Sequence, residues 1–428
     1  MQNHSKAFGA VSAAMLGVGA MVGAGIFIVI GQAGAIAGNL VWVSFVLGGL
    51  LALASGYSLA KLALRWPSRG GLVEYLTQLF GEGPFSGTGG VLFYLAQVIA
   101  MAAVAKAFGS YGSQLFGLDH GFENLLAVGI VLLFALINTL GASWVSRSEN
   151  LIVAVKLTIL VVFTGLALVN IDPSRLALSQ APPAMGILYA VGLTFFAYQG
   201  FSLICNTVED MDNPQRNMPR AILLAIGLVA ALYVAVSVAV LGNLSLDEVI
   251  KAQDYALAEA ARPFLGDLGF RIMAVAALIS TASAINATLY AATEITYVLI
   301  REGALPALYR FHRFESMEAL WITTGLTIPL ILLFDLSGIT LLAALSVLVL
   351  QGLVHFGHIF HTDRTGARRL PVALAAAGMF IVAWLTIDWS HKEHPWLAAQ
   401  LLGLFALAFA AEMTLYHLTG RTLRKQTA

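Results

Sequence analysis

The chain has 428 residues, of which 59% are hydrophobic and 11% charged, and its mean hydropathy is +0.84. Soluble domains carry about 25% charged residues, so this composition excludes an ordinary soluble enzyme and points to a polytopic membrane protein. Basic and acidic residues number 23 each, so the zero net charge invites no nucleic acid, and the single cysteine, Cys205, excludes an intrachain disulfide or a thiolate metal site.

In chain order, twelve apolar runs read as transmembrane helices, at about 9–37, 40–64, 86–115, 123–141, 148–170, 185–209, 219–242, 267–300, 318–335, 338–360, 370–388 and 396–418. The first follows Lys6, runs too long for a cleavable signal and is succeeded at once by another span, which predicts a retained anchor. With the N-terminus in the cytoplasm, inner segments carry sixteen Lys and Arg and outer ones five. That asymmetry predicts both termini inside and a location in the cell (inner) membrane. The longest outer connection, Gly242 to Gly269, has the pattern of short amphipathic helices lying over the outer mouth. No soluble domain is expected; residues 1–428 read as one transmembrane unit in the lipid bilayer.

Two spans look interrupted. The first carries glycines at 17, 19, 23, 25, 31, 34 and 38. Glycine is a poor helix former, so Gly23-Ala24-Gly25 is where the helix is expected to open and free backbone groups for a polar ligand. The same glycines also suit close packing between helices, an alternative the residues leave open. The sixth run carries Gly200 beside Tyr198 and Gln199, followed by Ser202, Asn206 and Glu209, a second expected break. Interruptions five spans apart suggest two inverted five-span halves, about 9–170 and 185–360, with two peripheral helices at about 370–418 and a substrate between the breaks.

Five motifs, in order, are similar to those of the amino acid–polyamine–organocation superfamily. They are Gly23-Ala24-Gly25-Ile26-Phe27, Pro67-Ser68-Arg69-Gly70-Gly71 with Tyr75, and Phe196-Ala197-Tyr198-Gln199-Gly200-Phe201. The others are the loop from Glu209 through Asn213-Pro214, Arg216 and Pro219 to Arg220-Ala221, and Arg301-Glu302-Gly303 with Pro306. The resemblance implies an all-α LeuT-type fold with twelve transmembrane helices, a 5+5 inverted repeat and broken helices 1 and 6. It further implies a transporter of small neutral amino acids, and no enzyme.

An amino acid zwitterion needs an anion site and a cation site a few ångströms apart. A half-helix beginning near Ile26 would offer N–H groups and a positive dipole end to the carboxylate. Carbonyls around Val22, Phe196, Ala197 and Gln199 suit the ammonium, an assignment the resemblance also implies for Val22–Ile26. Tyr94, Gln97 and Gln199 are polar candidates for the pocket wall, although both glutamines also suit interhelical hydrogen bonds. Phe196 reads as a gate over the substrate or as a packing aromatic. Lys156 lies two turns inside an apolar span, where ionisable residues pair or relay protons, unless it snorkels to the headgroups. The resemblance places a fifth-span lysine of proton-coupled members at this position and implies that its ammonium replaces sodium between spans 1, 5 and 8. There it would bridge the Gly19 carbonyl region to Ser280, Thr281 and Ser283. Protons are then the coupling ion, sodium is not expected, and no cofactor, metal or obligatory protein partner is implied. Lys106 is a second intramembrane cation, for an outer gate or for the outer headgroups. His355, His358 and His361 recur at spacings of three, a metal pattern or an interfacial polar cluster.

Overall fold

The computed structural model describes residues 9–68, 70–139, 143–177, 183–301 and 317–419. Among these residues every regular element is a helix. The elements are α1 (Ala10–Ala37), α2 (Val41–Arg65), α3 (Leu72–Phe80), α4 (Pro84–Phe116), α5 (Gly121–Thr139), α6 (Ser143–Val169), α7 (Ala184–Tyr189), α8 (Val191–Ala197) and α9 (Pro214–Asn243). They continue with α10 (Leu246–Lys251), α11 (Ala256–Glu259), α12 (Arg262–Arg301), α13 (Met317–Leu333), α14 (Leu336–Ile359), α15 (Thr362–Thr365), α16 (Arg369–Glu393) and α17 (Leu397–Thr419). Ten stretches of the described residues are long and apolar enough to cross a membrane, and α13 is a shorter apolar helix. In hydrocarbon a helix satisfies its own backbone, which is why such a chain has no other regular structure to adopt.

The packing order places α1 at the centre. It touches α9, α8, α12 and the short outer helices α10 and α11. Its residues Met21, Val22, Ile26 and Phe27 are buried, whereas α5 and α6 expose much of their apolar surface, Leu125 and Val161 among it. Buried apolar positions around α1 and exposed ones on the flanking helices are what a bundle surrounded by lipid requires. The connection from Gly242 to Gly269 does form short helices: Ser245 caps α10 in a reciprocal capping box with Glu248. This segment lies against the C-terminal half of α1, where a Cβ on Gly31 would stand 2.1 Å from the Gln253 carbonyl oxygen.

The expected break in the first span is not present. Residues Ala10–Ala37 form one α-helix that passes through Gly23 and Gly25. Two mid-helix glycines weaken a helix by only about 1 kcal/mol each, and hydrocarbon, which offers no competing partner, holds the backbone bonds closed. The sixth run is different. Its α-helix ends at Ala197, Gly200 adopts φ 129°, and Phe201–Asp210 continues as a 3-10 helix. A side chain at Gly200 would be strained by that φ and would also meet Ala20 and the Met21 amide at 2.9 Å.

Candidate substrate cavity

Gly25 of α1 and Gly200 of the interrupted run serve one contact. A Cβ on Gly25 would fall 2.4 Å from the Ala197 carbonyl oxygen, as one on Gly200 would strike Ala20 and Met21. The two segments therefore meet at two points, Gly25 against the Ala197 backbone and Gly200 against the Ala20 methyl and the Met21 amide. Tyr233 of α9 pins the junction. Its hydroxyl donates to the Met21 carbonyl at 2.7 Å, shared with the Ala197 carbonyl at 3.1 Å, and the Ile26 amide faces the same oxygen. Nothing in the sequence marks Tyr233 beyond its position as the one phenol in the apolar run of α9.

Beside this junction lies a cavity of about 890 Å³. Gly19, Gly23 and Gly25 of α1 border it, with Gln97 of α4 and with Phe196, Ala197 and Gln199 of the interrupted run. Lys156 and Ser283 border it as well. The cavity continues past Val11, Ser12, Met15 and Leu16 at the N-terminal end of α1.

Lys156 is 2% exposed, and its Nζ donates to the Gly19 carbonyl at 2.9 Å. It points across to α1 and into the protein interior. Ser280 of α12 donates to the Val22 carbonyl at 3.2 Å and, more closely, to that of Gly23. Thr281 donates to Ala277 in its own helix at 2.7 Å. The structure thus gathers Lys156, Gly19, Gly23, Ser280 and Ser283 along one face of α1. The backbone of Ala24 lies in the same helix; its side chain falls outside the described residues.

Other expected positions stand elsewhere. Tyr94 is turned to α13, its hydroxyl 2.8 Å from that of Thr323, and it does not border the cavity. Val22 and Ile26 point their side chains into the core. Lys106 is buried and donates to Asn124 of α5 at 2.8 Å, with Glu123, Asp254 and Asp335 nearby. The histidines of α14 and its C-terminal end do not make a metal site: the described residues hold no cluster of three metal-ligating side chains. Gln351 of α14, unmarked in the sequence, borders the cavity and donates to Gln199 at 3.0 Å.

Helices long and apolar enough to cross a membrane, packed around an internal cavity, suit a membrane transporter. Comparison with known proteins agrees. Residues 8–411 match the family model described as amino acid permease. An uncharacterized protein of Methanocaldococcus jannaschii is 35% identical over 397 residues, 90% of this chain and 91% of that one. The inner membrane transport protein YbaT of Escherichia coli is 37% identical over 310 residues, 72% of each chain. The serine/threonine exchanger SteT of Bacillus subtilis is 27% identical over 337 residues, 77% of this chain and 76% of that one. The chain belongs to the amino acid permease family of the amino acid–polyamine–organocation superfamily; it is a transporter and not an enzyme.

Proposed function

We propose that this protein is a secondary active transporter taking up small neutral L-amino acids with protons by alternating access. Its frame in this reading is LeuT-type: twelve spans, two inverted five-span halves and a pair of peripheral helices, in the inner membrane with both termini cytoplasmic. The observation that carries the proposal is Lys156, whose ammonium reaches the Gly19 carbonyl across the cavity wall at 2.9 Å. A fixed cation bridging α6 to α1, with Ser280 on the adjacent carbonyls, does the work of a bound sodium ion, so sodium is not needed. Deprotonation of Lys156 toward the cytoplasm frees α1 and lets the substrate leave.

The zwitterion is held where α1 and the interrupted run touch. Its ammonium meets carbonyls such as that of Ala197. Its carboxylate lies against Gly23 and Gly25, which border the cavity and carry no side chain to exclude it. Phe196 closes over the bound molecule, and Lys106 belongs to the outer gate. The cavity's extension along the N-terminal end of α1, the end assigned to the cytoplasm by the charge asymmetry, supports an inward-facing form.

The test is uptake by protein purified alone, in proteoliposomes holding no amino acid. An acidic exterior should drive accumulation of labelled alanine, replacement of sodium by choline should change nothing, and Lys156→Ala should flatten the pH response. A wild-type response to pH that persists in Lys156→Ala rejects the coupling role. A second reading, a proton-independent exchanger or facilitator, is favoured by the description of SteT as an exchanger. Exchange would be recognised by uptake that requires amino acid inside the vesicle and ignores the gradient.

A further inference from the structure

Gln199 stands at the end of a chain of hydrogen bonds that leaves the cavity and runs between α2 and α14. Gln351 donates to Gln199 at 3.0 Å, and Ser55 donates to the Gln351 carbonyl oxygen at 3.0 Å. Ser55 lies 2.8 Å from Nε2 of His355, whose Nδ1 lies 2.9 Å from Ser58. Ser58 lies 2.8 Å from Nδ1 of His358, whose Nε2 is 2.8 Å from Thr365 in α15. Spacings of three and four bring these side chains onto facing stripes: Ser55 and Ser58 on α2, Gln351, His355 and His358 on α14. Both serines and both histidines are fully buried.

With both imidazoles neutral, each hydroxyl and each ring has one hydrogen to give, so the amide orientation of Gln351 at one end sets the rest. Ser55 gives its hydrogen to Gln351, and therefore His355 must donate to Ser55 from Nε2. Its bare Nδ1 takes the Ser58 hydrogen, His358 then donates to Ser58 from Nδ1, and Thr365 donates to His358 at 2.8 Å in preference to the Thr362 carbonyl at 3.2 Å. Every link points toward the cavity. The last acceptor is the Gln199 carbonyl oxygen, which turns the Gln199 amide nitrogen away from the chain. That nitrogen is buried and has no hydrogen-bond partner among the described residues, in a side chain that borders the cavity.

We infer that Gln199 determines which side chains this transporter accepts: it donates to a substrate oxygen and so selects amino acids bearing a hydroxyl or carboxamide. Gln351, His355 and His358 are positioning residues that hold it in that orientation from as far as the α14–α15 turn. The inference rests on the amino acid transport reading above and narrows its substrate class. A donor shielded from water and unpaired within the protein is satisfied by such a substrate and left unsatisfied by a hydrocarbon of the same shape, which is the basis of strong discrimination.

The experiment compares isosteric pairs as competitors of a labelled amino acid that the wild-type protein transports: serine against 2-aminobutyrate, threonine against valine, asparagine against leucine. The oxygen-bearing member should bind at least tenfold more tightly in at least one pair. Equal or reversed preference in all three overturns the proposal while leaving transport itself established. Gln199→Leu should bring the favoured ratio close to one. So should Ser58→Ala, which removes one hydroxyl three links beyond Gln351; a packing role for Ser58 would change stability and not the ratio. If Gln199→Leu does not transport, the ratio is read from ligand-induced shifts in melting temperature. A preference that survives both substitutions overturns the proposal. Wild-type protein that neither accumulates nor exchanges any labelled amino acid defeats the transport reading and this inference together.

Discussion

At Gly25 the absence of a side chain decides whether two segments can touch, because a methyl group there would lie 2.4 Å from the Ala197 carbonyl oxygen and 2.9 Å from its Cα. Both neighbours are backbone, so neither can rotate out of the way. Gly25→Ala should therefore push α1 from the interrupted run and abolish uptake, and Gly25→Leu should do so in protein that still elutes as a monodisperse peak in detergent. Wild-type affinity in either variant would remove this junction from the binding site. Outside the spans, Asp254 carries a carboxyl whose surroundings disfavour its charge. Burial first, then the negative charges of Glu123 and Asp335, raise its carboxyl from 3.8 to about 6, against the opposing pull of Lys106. The folded protein holds this proton more tightly than the unfolded chain does. The group's contribution to stability is thus fully present below about pH 4 and is lost as pH rises through about 6. Asp254→Asn should recover on the order of 2 kcal/mol at neutral pH and flatten the stability profile between pH 4 and 6. Thermal unfolding in detergent reads both, and an unchanged melting temperature at pH 7.5 sinks the prediction.

Among the elements, the interrupted run and α1 form a pair in which one is broken and the other whole. Tyr233 joins them, and Tyr233→Phe removes a hydroxyl shared by the Met21 and Ala197 carbonyls. One hydrogen bond of this kind is worth about 1 kcal/mol. Expression should persist while the maximal uptake rate changes several-fold, since the link lies where the two segments must move; an unaltered rate would make Tyr233 a packing residue. The contrast between the two segments also explains what could be read beforehand. Gly200 was legible because a polar neighbour, Gln199, and a run of Ser, Asn and Glu follow an aromatic stretch, and only an irregular backbone accommodates that at membrane depth. Gly23 and Gly25 carried the same composition signal without the polar neighbours. In α1 they serve contact, which glycine composition alone does not distinguish from opening. Lys156 was legible because a charge deep in an apolar span demands a partner. Tyr233, Gln351 and the serines of α2 were not, since hydroxyls and amides acquire meaning only when the helix facing them is known. Tyr94 failed for the same reason: its face of α4 meets Thr323 of α13 and not the cavity.

For the molecule as a whole, the cavity joins the junction to the N-terminal end of α1 while α10 and α11 pack against α1 as well. The native Cys205 is buried, so reporter cysteines can be introduced against a quiet background. Ser12→Cys should react with a membrane-impermeant maleimide in inside-out vesicles, and little in right-side-out ones, with protection by a transported amino acid. Labelling from the outside would reverse the orientation drawn from the charge asymmetry. Where Gly31 admits the Gln253 carbonyl, the connection between α10 and α11 rests on the same rigid rod whose N-terminal half walls the cavity. The Gly19 carbonyl gripped by Lys156 lies twelve residues away along that rod, about 18 Å at 1.5 Å per residue. A tilt of the rod at one membrane face is consequently legible at the other, and a fluorophore on the exposed Lys251 would register loading of the cavity without ever meeting the cargo.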